Sequence, residues 1–202
     1  MSSTTFRFDP VEHRYYVNDD ERPSVTTVLR EAGLYPATPF STDKHRNRGS
    51  RIHQACELIN QDPPAAWDPA EWSGTSPELL PPIEAYARFV IEKKFQAAYS
   101  EHQVYSQALN VAGTFDVLGK ADGEWWLLDV KSGVPPAGAK LQLLLYKLLI
   151  EECLKITPAR LFTLAVANGR PKLREVRTTA QERAIVIGAC YAWWWRKENR
   201  IA

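Results

Sequence analysis

The stretch GTFDVLGKADGEWWLLDVK, residues 113–131, predicts a β-hairpin that brings two carboxylates together. Its Asp122-Gly123 pair is a strong signal for a tight turn between two strands. If the turn is centred there, the numbers of paired residues sum to 245, and Asp116 lies opposite Asp129. The two Cβ atoms are then about 5 Å apart. Lys131 follows Asp129 by two residues and therefore points to the same face of the hairpin.

Two carboxylates at this distance repel each other, so the pattern favours a hard cation between them. The other face of the predicted hairpin is apolar, and a register slip of one residue would bury the charges. The residues predicted to share that apolar face are Phe115, Val117, Trp126, Leu128 and Val130. The alternative is a surface hairpin with a cross-strand salt bridge.

A helix over residues 137–156 follows the hairpin, with a wide leucine stripe for the core. Gln142 and Tyr146 are four residues apart and share one face of this helix. By themselves they are equally typical of the polar edge of an amphipathic helix. Upstream, the apolar spacing predicts a strand pair within residues 6–17 and helices over 49–59 and 82–99.

The series formed by Asp116, Asp129-Val130-Lys131 and Gln142 with Tyr146 resembles the PD-(D/E)XK nuclease superfamily. The likeness is greatest to the RecB-type exonuclease domains, which also carry an upstream helical histidine, here His53. The opening of the chain, residues 8–29, also resembles the start of phage-encoded members of this group. It implies an α/β fold: a restriction-endonuclease-like core with a mixed, mostly antiparallel sheet of about five strands, flanked by helices.

We expect one domain over residues 1–202, a usual length for a single domain. Residues 1–48 would form an N-terminal elaboration with a hairpin and a helix. Residues 49–177 would form the core, and residues 178–202 would form a C-terminal helix.

The resemblance also implies roles for the site residues. Asp116, Asp129 and Lys131 would be catalytic, with the lysine orienting the attacking water. A Mg²⁺ or Mn²⁺ ion would be held by His53, Asp116, Asp129 and the carbonyl of Val130; a histidine ligand favours Mn²⁺ as well. Gln142 and Tyr146 would brace the site and contact the DNA backbone.

Three further sets of residues leave alternatives open. Glu57, one helical turn after His53, either orients the imidazole or is a solvated helix charge. Glu101 either joins the site or is an ordinary charge at the start of a strand. The irregular stretch over residues 44–51 either contacts phosphates or is a solvated loop; its candidates for DNA contact are Arg46, Arg48 and Arg51.

The function implied is a metal-dependent deoxyribonuclease, most simply an exonuclease that resects the ends of linear DNA in recombination, repair or phage DNA processing. One alternative is a structure-specific or restriction-like endonuclease. Another is a DNA-end-binding module without catalysis, although such modules usually lose one of the acidic residues or the lysine. A recombination partner protein is compatible with the resemblance.

Composition adds limits to these expectations. The net charge is only +1, so DNA binding must come from local basic patches. The three cysteines, Cys56, Cys153 and Cys190, are scattered, which predicts reduced thiols in a cytoplasmic protein and no iron–sulfur cluster. No apolar run is long enough to span a membrane.

Overall fold

A computed structural model describes residues 5–36, 43–167 and 169–201, with only the backbone described for residues 43–46. The strands are β1 (Phe6–Asp9), β2 (Arg14–Val17), β3 (Asp20–Arg22), β4 (Gln96–Ser106), β5 (Val111–Ala121), β6 (Glu124–Lys131), β7 (Arg160–Ala165) and β8 (Lys172–Val176). The helices are α1 (Val25–Glu31), α2 (Asp43–Gln61), α3 (Leu80–Lys93), α4 (Ala139–Cys153) and α5 (Ala180–Glu198), with a short 3-10 helix at Pro69–Trp72.

The central sheet has five strands in the order β4-β5-β6-β7-β8. Strands β6 and β7 are parallel and are joined through α4, whereas the other three pairings are antiparallel. The predicted mixed, mostly antiparallel sheet of about five strands is therefore confirmed.

Helices cover both faces of this sheet, as predicted. On one face, α1, α4 and α5 pack over Leu118, Leu127 and Leu161, and the leucines of α4 supply most of the contact. On the other face, α2 and α3 pack over Trp126 and Phe162. Because each face is covered by apolar side chains, a polar group that points into either layer must find a partner or a ligand.

The N-terminal segment forms a second, smaller sheet in the order β1-β2-β3. The predicted β1–β2 pair is present, but the structure adds a third strand, because Asn18 and Asp19 both adopt left-handed backbone conformations and make a tight turn into β3. Ser24 caps α1 by accepting a hydrogen bond from the N–H of Thr27 and pairs with Ala112 of β5. This contact anchors the N-terminal segment beside the hairpin.

Two helix boundaries, the start of α2 and the end of α3, lie six residues from the predicted ones. Helix α2 already begins at Asp43, so the basic stretch is helical and not irregular. Helix α3 ends at Lys93, because Lys94 takes a left-handed conformation with φ of 48° and Phe95 turns into the core. The chain up to Tyr99 therefore belongs to β4 and not to the helix. Among the described residues, no helix combines the length and apolarity needed to cross a bilayer.

Candidate metal centre and active site

Strands β5 and β6 form the predicted hairpin. Asp122 and Gly123 have φ angles of 51° and 77°, the left-handed values that a type I′ turn requires. The Cα pairs run from Ala121–Glu124 to Val117–Leu128, which confirms the predicted register. The ladder ends one pair short of Asp116 and Asp129, so the two strands separate where the carboxylates lie.

The alternation of side chains between the two faces of strand β5 is interrupted at Asp116. Phe115 packs in the cluster under α4, whereas Val117 packs in the cluster under α2 and α3. A regular strand would place both side chains on one face, so the prediction that Phe115 shares a face with Val117 is wrong. The break in alternation falls on Asp116 and frees its side chain from either apolar layer.

The neighbouring strand β4 is also irregular at this level. Glu101, which the register would place opposite Asp116, has a φ of 45°. The Cα pairs pass directly from Ser100–Val117 to His102–Phe115. Local irregularities of this kind re-aim side chains and are common beside active sites.

The carboxylate of Asp116 is held from two sides. Its Oδ2 accepts a hydrogen bond of 2.6 Å from the backbone N–H of Val130 on β6. Its Oδ1 lies 3.9 Å from Nδ1 of His53 on α2, and the side chain is 15% exposed. Asp116 therefore fills the opening between β5 and β6 and faces α2.

His53 and Glu101 complete a cluster with Asp116. Nδ1 of His53 lies 2.7 Å from Oε1 of Glu101, and one nitrogen or oxygen from each of the three residues lies within 4.8 Å of the others. Both His53 and Glu101 are half-buried, so their groups remain accessible from solvent. A nitrogen and two carboxylates at these distances can hold a metal ion.

The electrostatics of the cluster favour a positive charge at its centre. Burial alone would lower the pKa of His53, but the carboxylates of Asp116 and Glu101 outweigh burial and raise the pKa to about 9. The imidazole therefore carries a proton at neutral pH and compensates the two acidic groups. A cation bound among these groups would take over that compensating role.

Asp129 and Lys131 form a separate, more buried pair on β6. Nζ of Lys131 lies 2.7 Å from Oδ1 of Asp129, whose residue is only 4% exposed. Burial raises the pKa of Asp129 and Asp116 raises it further, whereas Lys131 acts in the opposite direction. Burial would lower the pKa of Lys131, but Asp129 and Asp116 outweigh it, so the lysine remains an ammonium.

The residues fit a divalent cation. Oδ2 of Asp129 is buried and has no hydrogen-bond partner among the described residues. An unpartnered buried carboxylate oxygen is costly unless a ligand satisfies it. Together with the cluster of His53, Glu101 and Asp116, it supplies the oxygen and nitrogen donors that Mg²⁺ and Mn²⁺ accept.

Gln142 and Tyr146 are both buried on α4 behind this site. Nε2 of Gln142 donates to Oγ1 of Thr26 on α1 at 3.1 Å, and its Oε1 has no partner among the described residues. The ring of Tyr146 packs so closely on Gly113 of β5 that a Cβ there would lie 2.7 Å from Cε1 of the ring. Their burial gives both residues a supporting position behind the strands.

The remaining candidates lie on α2. Arg48 is half-buried and Arg51 is exposed, whereas the side chain of Arg46 lies outside the described residues. Glu57 borders the same small cavity as His53 and Asp116. The carboxylate bonded to the imidazole, however, is that of Glu101.

A cleft of about 420 Å³ leads to His53 and Glu101 between the N-terminal sheet and α2. Phe8, His13 and Thr114 are among its lining residues. Thr114 accepts or donates a hydrogen bond of 2.9 Å with the hydroxyl of Tyr15. The N-terminal side of this cleft was not predicted from the sequence, because its only signal was a hairpin rich in aromatic residues far upstream.

Two further residues beneath the site, Thr26 and Tyr35, were not predicted from the sequence. Thr26 binds Gln142, and Tyr35 lies near Lys131. Burial raises the pKa of the Tyr35 phenol, and the Lys131 ammonium acts in the opposite direction. Gly138, at the start of α4, packs against the ring of Tyr35. No local pattern marks either residue, since both contacts join α1 and its following turn to elements about a hundred residues later.

Comparison with curated proteins and with solved structures found little similarity. A search of curated proteins found no match. Among solved structures, one titled "Crystal structure of SSO0001" is 13% identical, and the alignment covers 75% of this chain and 86% of that chain with a TM-score of 0.38.

The family model of the PD-(D/E)XK nuclease superfamily matches residues 26–190, which is more than half of the chain. The chain therefore belongs to the PD-(D/E)XK nuclease superfamily. Membership indicates a nuclease that hydrolyses nucleic-acid phosphodiester bonds with a divalent metal, in agreement with the cluster of His53, Glu101 and Asp116.

Proposed function

We propose that this superfamily member is a Mg²⁺- or Mn²⁺-dependent deoxyribonuclease that removes nucleotides from the ends of linear DNA. The observation that supports the proposal most is the opening between β5 and β6. The His53–Glu101–Asp116 cluster borders one side of it, and the buried Asp129–Lys131 pair borders the other. Acidic, imidazole and ammonium groups thus lie around one opening, where they could hold a divalent metal and stabilise a phosphate.

The proposed metal ligands are His53, whose imidazolium would lose a proton on binding, Asp116, Asp129 and the carbonyl of Val130. Glu101 would be a further ligand or the group that orients His53. When bound, the cation supplies a water of lowered pKa and polarises the phosphate. Val130 contributes twice, because its N–H already fixes Oδ2 of Asp116. The backbone of β6 would therefore position one carboxylate while its side chains position the other.

Lys131 is proposed to orient the attacking water and to stabilise negative charge that develops on the phosphate. Its ammonium is fixed at 2.7 Å from Asp129 and is 22% exposed, so it can still reach a ligand in the opening. A preorganised cation in a partly desolvated site stabilises developing charge more strongly than one in water. Asp129 would thereby serve the cation with one oxygen and position Lys131 with the other.

Gln142 and Tyr146 are proposed to support the site and not to contact DNA directly, because both are buried. Gln142 connects α4 to α1 through Thr26, and Tyr146 presses on Gly113 of β5. Arg48 and Arg51, with Arg46, remain proposed DNA contacts, since α2 carries them on the turns that lead to His53. The salt dependence of binding would test that role.

The exonuclease activity, a role in recombination, repair or phage DNA processing, a recombination partner and a cytoplasmic location all rest on the resemblance to RecB-type domains. A structure-specific or restriction-like endonuclease would use the same residues. Closed circular DNA separates the two, because an exonuclease requires an end. A non-catalytic end-binding module is less compatible with the presence of Asp116, Asp129 and Lys131 together.

The test is incubation of purified protein with end-labelled linear DNA and closed circular DNA in Mg²⁺, Mn²⁺ or EDTA. Lys131→Ala is compared with Lys93→Ala, an exposed lysine on α3 that is matched in chemistry but remote from the site. We expect metal-dependent loss of linear DNA alone, abolished by Lys131→Ala and retained in Lys93→Ala. Cutting of circles would replace the exonuclease with the endonuclease, and binding without cleavage would favour the end-binding module.

A further inference from the structure

A second groove lies beside the opening, at the carboxyl ends of β6 and β7. It has a volume of about 610 Å³, and the loop Gly133–Pro135, which follows Lys131, forms one wall. Val134 of that wall is 94% exposed. The opposite side carries three basic residues, Arg170, Lys172 and Arg174.

The strand register connects this groove to the site. Asp129 pairs with Thr163 of β7, which pairs with Arg174 of β8. In the next row, Lys131 pairs with Ala165, which pairs with Lys172. Neighbouring strands lie about 4.8 Å apart, so each basic residue is about 10 Å from the site residue in its row.

The side chains in these rows share one face of the sheet. Leu161 packs under α4, so Thr163 and Ala165, two and four residues later, point to that same side. Lys172 and Arg174 pair with them and also line the groove. Two basic side chains therefore continue the rows that begin with Asp129 and Lys131.

The basic residues of the groove are available to a ligand. Arg170, Lys172 and Arg174 are exposed, and none of them makes an ion pair with any residue that the structure describes. Glu175, the adjacent acidic residue on β8, is bonded instead to Arg160. The groove thus presents uncompensated positive charge beside an apolar wall, which is complementary to a phosphodiester backbone.

We propose that this groove binds the backbone of the DNA strand being cut, with Lys172 and Arg174 on phosphates near the scissile one. Because the two rows begin at Asp129 and Lys131, these contacts lie within a few nucleotides of the scissile phosphate. Val134 and Pro135 pack against the sugars. This inference rests on the proposed function, because the proposed active site defines which phosphate is the scissile one. It predicts that short substrates lose these contacts.

The experiment measures binding without cleavage. A fluorescent 20-nucleotide DNA, single-stranded or duplex, is titrated with protein in EDTA across a series of salt concentrations, and its anisotropy is recorded. Lys172→Ala/Arg174→Ala is compared with Arg177→Ala/Arg183→Ala, which removes two exposed cations outside the groove lining. Thermal melts verify that both variants fold.

We expect the salt dependence, the slope of log K against log salt concentration, to fall by about 2 in the groove variant, one for each lost phosphate contact. Its affinity should fall at least about tenfold, while the control keeps the wild-type slope. Equal slopes in all three proteins would overturn the inference. A reduced slope in a protein that cleaves no DNA would support the groove while contradicting the proposed function, so the two failures are distinguishable.

A second readout uses substrate length. Hydrolysis of bis(p-nitrophenyl) phosphate, which cannot reach the groove, should be unchanged in Lys172→Ala/Arg174→Ala, whereas KM for the 20-nucleotide DNA should rise at least about tenfold. Equal effects on both substrates would mean that the substitutions disturb the active site itself and would contradict a separate binding role.

Discussion

The two aspartates of the central hairpin are held in opposite ways. Asp129 is 4% exposed and is paired with Lys131, two residues away on its own strand. Asp116 is more exposed and depends on other elements: the backbone of β6 for one oxygen and His53 of α2 for the other. One half of the site is therefore local to a strand, whereas the other half exists only when several elements are assembled.

The difference shows how two negative charges can share one site. The local half is neutralised internally by a lysine, and the assembled half is neutralised by an imidazolium between two carboxylates. Both halves would contribute ligands to a metal, because Oδ2 of Asp129 is a buried carboxylate oxygen that lacks a partner among the described residues.

Removal of the local carboxylate should have the largest effect. Asp129→Asn should lower the rate of DNA cleavage by at least about a thousandfold, because it weakens metal binding and releases Lys131 from its position. The measurement is single-turnover cleavage of linear DNA at saturating metal. Asp20→Asn, an exposed aspartate in β3, is the control and should retain wild-type activity.

Recovery of full activity in Asp129→Asn at high metal concentration would show that the residue acts only as one ligand among several. A rate that stays low at every metal concentration would be consistent with the double role proposed here. The two results therefore separate metal affinity from the positioning of Lys131.

The assembled half should respond chiefly in metal affinity. Glu101→Gln removes the charge that orients His53 and should weaken Mn²⁺ binding by about 10- to 100-fold. The measurement is titration calorimetry with Mn²⁺ on the purified protein. Glu57→Gln is the comparison, since Glu57 borders the cavity without bonding to the imidazole.

We expect Glu57→Gln to change the affinity much less than Glu101→Gln. A larger effect for Glu57→Gln would instead identify Glu57 as the partner of His53, which is one of the two interpretations that its helical spacing leaves open. Equal and negligible effects would place both residues outside the metal site.

The packing behind the assembled half should affect stability. Gly113→Ala would place a Cβ 2.7 Å from the ring of Tyr146 and 3.2 Å from Val25, which should cost about 1–3 kcal/mol in the free energy of unfolding. Chemical denaturation gives the measurement. Gly188→Ala, at an exposed helical position with nothing within 4 Å of a new Cβ, should instead stabilise the protein by up to about 1 kcal/mol.

A destabilisation of equal size in both glycine variants would contradict the close packing of Tyr146 on β5. If Gly113→Ala lowers stability as expected, cleavage activity of the folded fraction should also fall. The reason is that the new Cβ displaces the strand that carries Asp116, three residues further along.

The smallest effect is expected at the contact between α1 and α4. Thr26→Val removes the hydroxyl that accepts from Gln142 and should cost about 1 kcal/mol in unfolding free energy. Denaturation and steady-state kinetics together give the readout, with a few-fold loss of activity expected. No change in either quantity would show that the amide of Gln142 finds another partner.

The sequence predicted those parts of the fold that depend on short-range patterns. The hairpin register followed from Asp122-Gly123, and α4 followed from its leucine spacing. The end of α3 and the start of β4 were both predicted too far along the chain. The reason is that Lys94 ends the helix through a left-handed conformation, which no local preference indicates. The full length of α2 was also missed, since its basic first half has no apolar stripe.

The residues of the candidate site were likewise predictable where they depend on short-range patterns. Asp129 and Lys131 are neighbours on one strand, so their common face follows from the two-residue period of any β-strand. Asp116 was identified from the same stretch, and the resemblance to a known family added His53, Gln142 and Tyr146. The sequence by itself thus determined which residues were candidates and which of them lie on one strand.

Only the tertiary structure decided how those residues meet. His53 and Glu101 are 48 residues apart, and their contact depends on α2 packing against β4. The break in β5 that turns Asp116 toward them runs against the alternation that the sequence predicts, because it depends on two neighbouring strands separating at that point. Local periodicity determines the face on which a side chain starts, but packing between distant elements determines which groups share a site.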